Sequence, residues 1–157
     1  MRIKELIERE KSRFALQRPK SKALLERGKN SLIAGVPMAG MAEWAGSFPI
    51  YVKEAHGAYL TDVDGHRYLD LCLGDTGAMC GHTPQATIEA VTKQINKGFT
   101  YWLPTEDSIW VGEELTRRFK VTHWQVYLRA SDANIVAIGV ARDVTHRYPI
   151  LIYDGCY

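Results

Sequence analysis

Residues 124–157 read WQVYLRASDANIVAIGVARDVTHRYPILIYDGCY, and the order of properties along them decides the fold class. Trp124 to Leu128 is a short run of aromatic and branched side chains, as in a buried strand. Ser131 or Asp132 then caps a helix whose Ala133, Val136, Ala137, Val140, Ala141 and Val144 make a wide apolar face. Ile150 to Tyr153 is a second buried strand. Strand, helix and strand at this spacing form a βαβ unit and predict a parallel sheet. A small polar turn at a helix start offers backbone N–H groups to an anion such as phosphate. Tyr157, at the end of the next strand, is placed to stack on a flat aromatic ring. No lysine follows Lys120, so none is expected here to bond such a ligand covalently.

Upstream of this unit the hydrophobic period changes twice. Residues 3–15 and 20–33 have helical spacing, with Pro19 between them and Gly35 and Pro37 ending the second. From Ile50 to Cys72 the period is two, in three short runs punctuated by His56-Gly57 and Asp64-Gly65. Asp-Gly between such runs predicts a hairpin with a type I′ turn, so the region reads as an antiparallel meander. Gly74 to His82 is a glycine-rich loop without the Gly-Lys-Ser/Thr end of a P-loop. Thr83-Pro84 caps a helix over 84–98. Glu106 and Asp107 suit the positive N-terminus of another over 106–119.

Composition sets the class. The chain has 157 residues, 46% apolar and 24% charged, with net charge +2. That is the range of one soluble globular domain. Residues 1–29 hold ten Lys/Arg against four Glu, and the rest ten against fourteen Asp/Glu. The basic start alternates with apolar residues as a solvated helix pair does. It lacks the aromatic interleaving of a single-strand binder, so no nucleic-acid partner is expected. No apolar run is long enough to span a bilayer, and the charged first residues contain no apolar h-region, so no signal peptide is expected. Three cysteines without a paired framework point to reduced thiols and a cytoplasmic location. Cys72, Cys80 and His82 match no common zinc spacing, so no metal site is expected.

Five pieces, in order, carry a family likeness: Gly35-Val36-Pro37; Asp62-Val63-Asp64-Gly65-His66-Arg67-Tyr68-Leu69-Asp70; Gly81-His82-Thr83-Pro84; Ala130-Ser131-Asp132-Ala133; and Gly155-Cys156-Tyr157. From about Ser21 onward the chain resembles the N-terminal part of class III aminotransferases that use pyridoxal phosphate, the glutamate-1-semialdehyde aminomutases among them. The resemblance implies an α/β protein, the N-terminal part of a fold type I PLP-dependent transferase. Residues 1–72 would carry the N-terminal helices and meander of the small domain. Residues 73–157 would open the PLP-binding large domain with its first βαβ. It also implies amino-acid and keto-acid substrates and a homodimer in the intact enzyme. Ala130 and Ser131 stand where the phosphate is bound and Tyr157 where an aromatic covers the cofactor ring.

No catalytic residue is assigned, because the family's Schiff-base lysine and the acid facing the pyridine nitrogen lie beyond the position matching Tyr157. The chain alone is therefore expected to be inactive. Two other readings stay open: a non-catalytic module pairing with a full-length homologue, and a small α/β anion-binding domain. Asp62, Asp64 and Asp70 read as hairpin and turn residues, and His82 as bonding backbone near a helix start. The resemblance is imperfect near the end. Gly139 replaces an Arg inside the last helix, His146 a helix-ending Gly, and Pro149 a Lys. The first two weaken the helix, and Pro149 removes a backbone donor.

Overall fold

The computed structural model describes residues 3–155. The chain forms two compact units, Met1–Phe99 and Thr100–Tyr157. In the first, α1 (Ile3–Gln17) and α2 (Pro19–Gly28) are followed by β1 (Val52–His56), β2 (Tyr59–Asp62), β3 (Arg67–Leu69) and α3 (Gln85–Ile95). In the second, α4 (Glu106–Phe119) precedes α5 (Ala130–Thr145).

The meander forms as expected, an antiparallel sheet of order β1-β2-β3 with Ala55 opposite Leu60 and Leu60 opposite Tyr68. Its second turn differs from the expected type I′. Gly65 alone takes positive φ, at 95°, and Asp64 does not. The Gly65 N–H donates to the Asp62 carbonyl at 3.1 Å, and Asp62 N–H to the His66 carbonyl at 2.9 Å. These bonds close a three-residue loop, a tight turn followed by a glycine bulge. The extra residue frees Asp64 for a distant task. Its carboxylate accepts the N–H groups of Lys20 and Ser21, at 2.8 and 2.9 Å, and the Ser21 hydroxyl at 2.8 Å. Nothing local caps α2, so the hairpin loop supplies its N-cap across 43 residues of chain.

α2 ends at Gly28, well short of residue 33. A Cβ on Gly28 would stand 2.4 Å from the Gly35 carbonyl oxygen. The two backbones touch there, and the chain turns instead of continuing as helix. The Tyr51 hydroxyl donates to the same carbonyl at 2.9 Å and ties this corner to the segment leading into the meander.

The centre of the first unit is polar. Asp62 and Ser21 are fully buried, and Val36 and Phe48 are buried apolar residues of the same unit. Asp62 Oδ1 accepts the N–H groups of Asp64 and His66, at 3.0 and 2.8 Å, and Oδ2 accepts the Tyr68 hydroxyl at 2.6 Å. Arg18 donates to Tyr68 at 2.7 Å and lies 3.7 Å from Asp62, while its guanidinium covers the Phe14 ring at 4.2 Å. Phe14 in turn meets Phe48 at 5.1 Å. The α1–α2 corner and the meander are thus joined by one closed set of hydrogen bonds.

The second unit departs most from expectation. Its helices are present, but Trp124–Leu128 and Ile150–Tyr153 form no ladder among the described residues. They are open to solvent, Leu128 at 101% exposure and Leu151 at 97%. A strand is completed by its neighbour, and neither stretch has one here. The helix between them starts at Ala130, with Arg129 and not Ser131 or Asp132 in the cap position. It ends at His146, at φ 56°, the left-handed conformation expected where glycine is usual. Thr83 likewise does not cap α3, whose cap position is Pro84. At φ 51° its hydroxyl meets His56 Nδ1 at 2.8 Å.

Candidate functional site

The start of α5 is the element that the sequence assigns to an anion. Arg129 is extended, at φ −134° and ψ 147°, and no side chain caps the helix. The first intrahelical bond runs from Ala133 N–H to the Arg129 carbonyl at 3.2 Å. The N–H groups of Ala130, Ser131 and Asp132 precede it and point out of the helix end, where the backbone dipole is positive. Ala130 and Ser131 are both exposed. With Arg129 at the cap, Ala130 and Ser131 occupy the first and second positions of the helix.

Arg129 is the residue that sequence reasoning missed. Its Nε and Nη2 donate to the two oxygens of Asp132, at 3.0 and 2.8 Å. The opposite charges three residues apart across a helix start were the available signal. The pair holds the Asp132 carboxylate against a guanidinium at the end that would receive an anion. Tyr157 lies outside the described residues, as does Cys156.

The other candidate acids are occupied structurally, as the sequence suggests. Burial opposes ionisation of Asp64, but the Ser21 and Lys20 donors outweigh it and hold the carboxyl below its ordinary 3.8. Asp70 is also held below 3.8, first by His82 and then by the N–H groups of Leu73 and Cys72. Burial and the Asp62 carboxylate push the Tyr68 hydroxyl up. His82 departs from the expected bond to backbone: its side chain bonds the Asp70 carboxylate at 2.7 Å, while its own N–H and carbonyl pair with Gly57. Cys72 and Cys80 are free thiols, and no group of three metal-ligating side chains occurs among the described residues. A cavity of about 730 Å³, walled by Val36, Met41, Trp44, Tyr51 and Leu71 among others, lies in the first unit. Among the described residues no helix is long and apolar enough to cross a membrane.

Comparison with known proteins agrees with this layout. The family model for aminotransferase class-III matches residues 40–157. Glutamate-1-semialdehyde 2,1-aminomutase of Methanocaldococcus jannaschii is 35% identical over 145 residues, 92% of this chain and 34% of that protein. The crystal structure of a glutamate-1-semialdehyde aminomutase from Pseudomonas aeruginosa superposes with a TM-score of 0.87 at 42% identity, covering 92% of this chain and 32% of that one. A variant of that enzyme, solved in complex with PMP, matches equally well. An omega-transaminase from Sphaerobacter thermophilus gives a TM-score of 0.78 at 32% identity, over 88% of this chain and 31% of its own. The chain thus spans about a third of the length of these relatives. With its helices and small antiparallel sheet matching the N-terminal portion of that fold, and the family pattern extending over most of its length, this chain belongs to the class III aminotransferases.

Proposed function

We propose that this segment is the phosphate-binding N-terminal third of a pyridoxal-phosphate-dependent aminotransferase or aminomutase acting on amino acids. Residues 1–72 are its contribution to a small domain and residues 73–157 the start of a large one. The observation that carries the reading is the free N-terminus of α5. There the N–H groups of Ala130 and Ser131 precede the first helical hydrogen bond, within the span matched to the family.

The residues present suit a phosphate. Ala130 and Ser131 supply two backbone donors, the Ser131 hydroxyl a third, and the helix end a positive potential. Arg129 compensates the Asp132 carboxylate, which would otherwise repel an anion at the same turn. By the family likeness Tyr157 would cover the pyridine ring. Once bound, pyridoxal phosphate supplies the electron sink for bonds at the substrate's α-carbon. This segment binds and orients it. The lysine that bonds the cofactor and moves the proton, and the acid facing the ring nitrogen, are contributed from outside residues 1–157. A homodimer and the amino-acid and keto-acid substrates belong to the whole enzyme. The segment alone binds without turnover.

Calorimetry of the chain with pyridoxal phosphate and with pyridoxal tests the assignment. Ser131→Pro removes the backbone N–H and the hydroxyl together and weakens phosphate-dependent binding by at least about tenfold, the scale of one charge-assisted hydrogen bond. Equal affinity in the variant, or equal affinity for pyridoxal, places binding elsewhere. Turnover of an amino donor by the isolated chain contradicts the division of labour.

A further inference from the structure

Residues 71–82 join β3 to α3 and contain the most unusual backbone in the chain. Leu73, Gly74, Asp75 and Thr76 stand in succession at φ 56°, 58°, 53° and 74°. Three of the four carry a Cβ, which crowds the following carbonyl in the left-handed region. Isolated residues visit that region at turns, but four in a row are strongly disfavoured. Such backbone persists only where its surroundings over-determine it.

The loop itself supplies little of that restraint. Its tip is exposed from Gly74 to Gly77. The bonds across it are Ala78 N–H to the Leu73 carbonyl at 2.8 Å, Asp75 N–H to Cys72 at 3.1 Å and Gly77 N–H to Gly74 at 3.3 Å. The restraint sits at the base, on one carboxylate. Asp70 Oδ1 accepts the N–H groups of Cys72 and Leu73, where the loop begins, at 2.9 and 3.0 Å. Asp70 Oδ2 accepts His82 Nε2, where the loop ends, at 2.7 Å. Asp70 is buried, 8% exposed, and its own N–H is held by the Ala58 carbonyl at 2.9 Å. His82 is fixed to the meander turn by paired backbone bonds with Gly57, at 2.8 and 3.0 Å. This one side-chain contact bridges the two loop ends, adding to the backbone bonds at Ala58 and Gly57 that seat each end on the meander.

We infer that residues 71–81 are a latched conformational element: a strained left-handed loop held closed by the Asp70–His82 contact and released when that contact breaks. His82 is the positioning residue of the latch. Release lets Leu73, Asp75 and Thr76 return to negative φ, while the meander keeps its ladder. The stored strain favours opening and the latch opposes it, so small changes at His82 are read out as loop rearrangement. This element is independent of the phosphate turn and goes beyond the reading of that turn.

Amide hydrogen exchange on the full 157-residue chain, without cofactor, tests both halves. His82→Ala speeds exchange at Leu73, Ala78 and Gly81 at least tenfold and leaves Asp62 and Val63 in the meander within twofold of wild type. His82→Gln, whose amide N–H can reach the carboxylate, recovers most of the loop protection. Thr76→Gly removes one crowded Cβ and slows exchange at Ala78 about threefold in both the wild-type and His82→Ala backgrounds. Loop exchange unchanged in His82→Ala overturns the latch, as does meander exchange that rises as much as the loop's. Unchanged or faster exchange in Thr76→Gly overturns the strain, and this variant decides even if His82→Ala does not fold.

Discussion

The α1–α2 corner with its meander and the flanks of α5 use apolar and polar residues in opposite ways. In the first region, a fully buried carboxylate, Asp62, receives three hydrogen bonds from residues near it in sequence and lies beside Arg18. In the second, Leu128, Ile150 and Leu151 are among the most apolar residues in the chain and lie in solvent. The difference is one of partners. An antiparallel meander closes on itself through short turns, whereas a parallel strand needs neighbours delivered by longer crossovers. The first region pairs its three strands within 70 residues, although Leu16, Ile33 and Leu69 remain exposed. The second does not find strand partners within the third of the fold that the chain spans.

The contrast breaks most sharply at Asp62. Asp62→Ala removes the acceptor of a buried network and leaves the Tyr68 O–H and the N–H groups of Asp64 and His66 without their acceptor. Losing one partner of a buried ionic contact costs about 3–5 kcal/mol. The first unit should therefore unfold at much lower urea in the variant, followed by near-ultraviolet circular dichroism. An unchanged midpoint would mean that the network does not hold the corner to the sheet.

Acid acts on the first region. Asp64 and Asp70 are both held below the ordinary 3.8. A lowered carboxyl stabilises the fold above its unfolded value and loses that contribution as pH falls through the folded one. The α2 cap and the base of the 71–82 loop should thus loosen together below pH 3.8. Asp64→Asn should flatten this part of the pH profile at α2. Loosening that begins near neutral pH would exclude both carboxyls as its cause.

Smaller gains are available in α5. A Cβ at Gly139 would meet nothing within 4 Å, so Gly139→Ala should stabilise the helix by about 1 kcal/mol. His146→Gly, at a position with φ 56°, should add roughly as much. Helicity measured against temperature checks both, and a loss in either variant would mean that the side chain or the turn has another role.

The smallest effect belongs to the open strands. Leu128→Lys and Leu151→Lys should change stability by less than about 0.5 kcal/mol, as for other exposed positions. They should raise the concentration at which the chain associates, because unpaired apolar edges template aggregation. A large loss of stability, or strong amide protection at Val126 and Ile152 in a monomer, would show that these stretches pair within the chain.

The pattern of the elements was legible because its causes are local. Pro19 starts α2, Glu106 and Asp107 open α4, and the alternation from Ile50 to Cys72 produces three strands joined by short loops. His146 was readable as a strained helix end because it stands where the likeness sets a glycine. The candidate anion site was half legible. Ala130 and Ser131 follow from turn chemistry and from the likeness, while the Arg129–Asp132 pair needed the helix start placed to within one residue.

By itself the sequence determined which segments are helical, where the meander turns, and which family the chain belongs to. Propensity, period and motif order act over a few residues and need no distant partner. Only the tertiary structure decided that Asp64 caps a helix 43 residues away, that Asp62 rather than a leucine occupies the centre, and that two strand-like stretches remain open. Each of those outcomes depends on what comes to lie alongside, and a one-dimensional pattern carries no record of its neighbours in space.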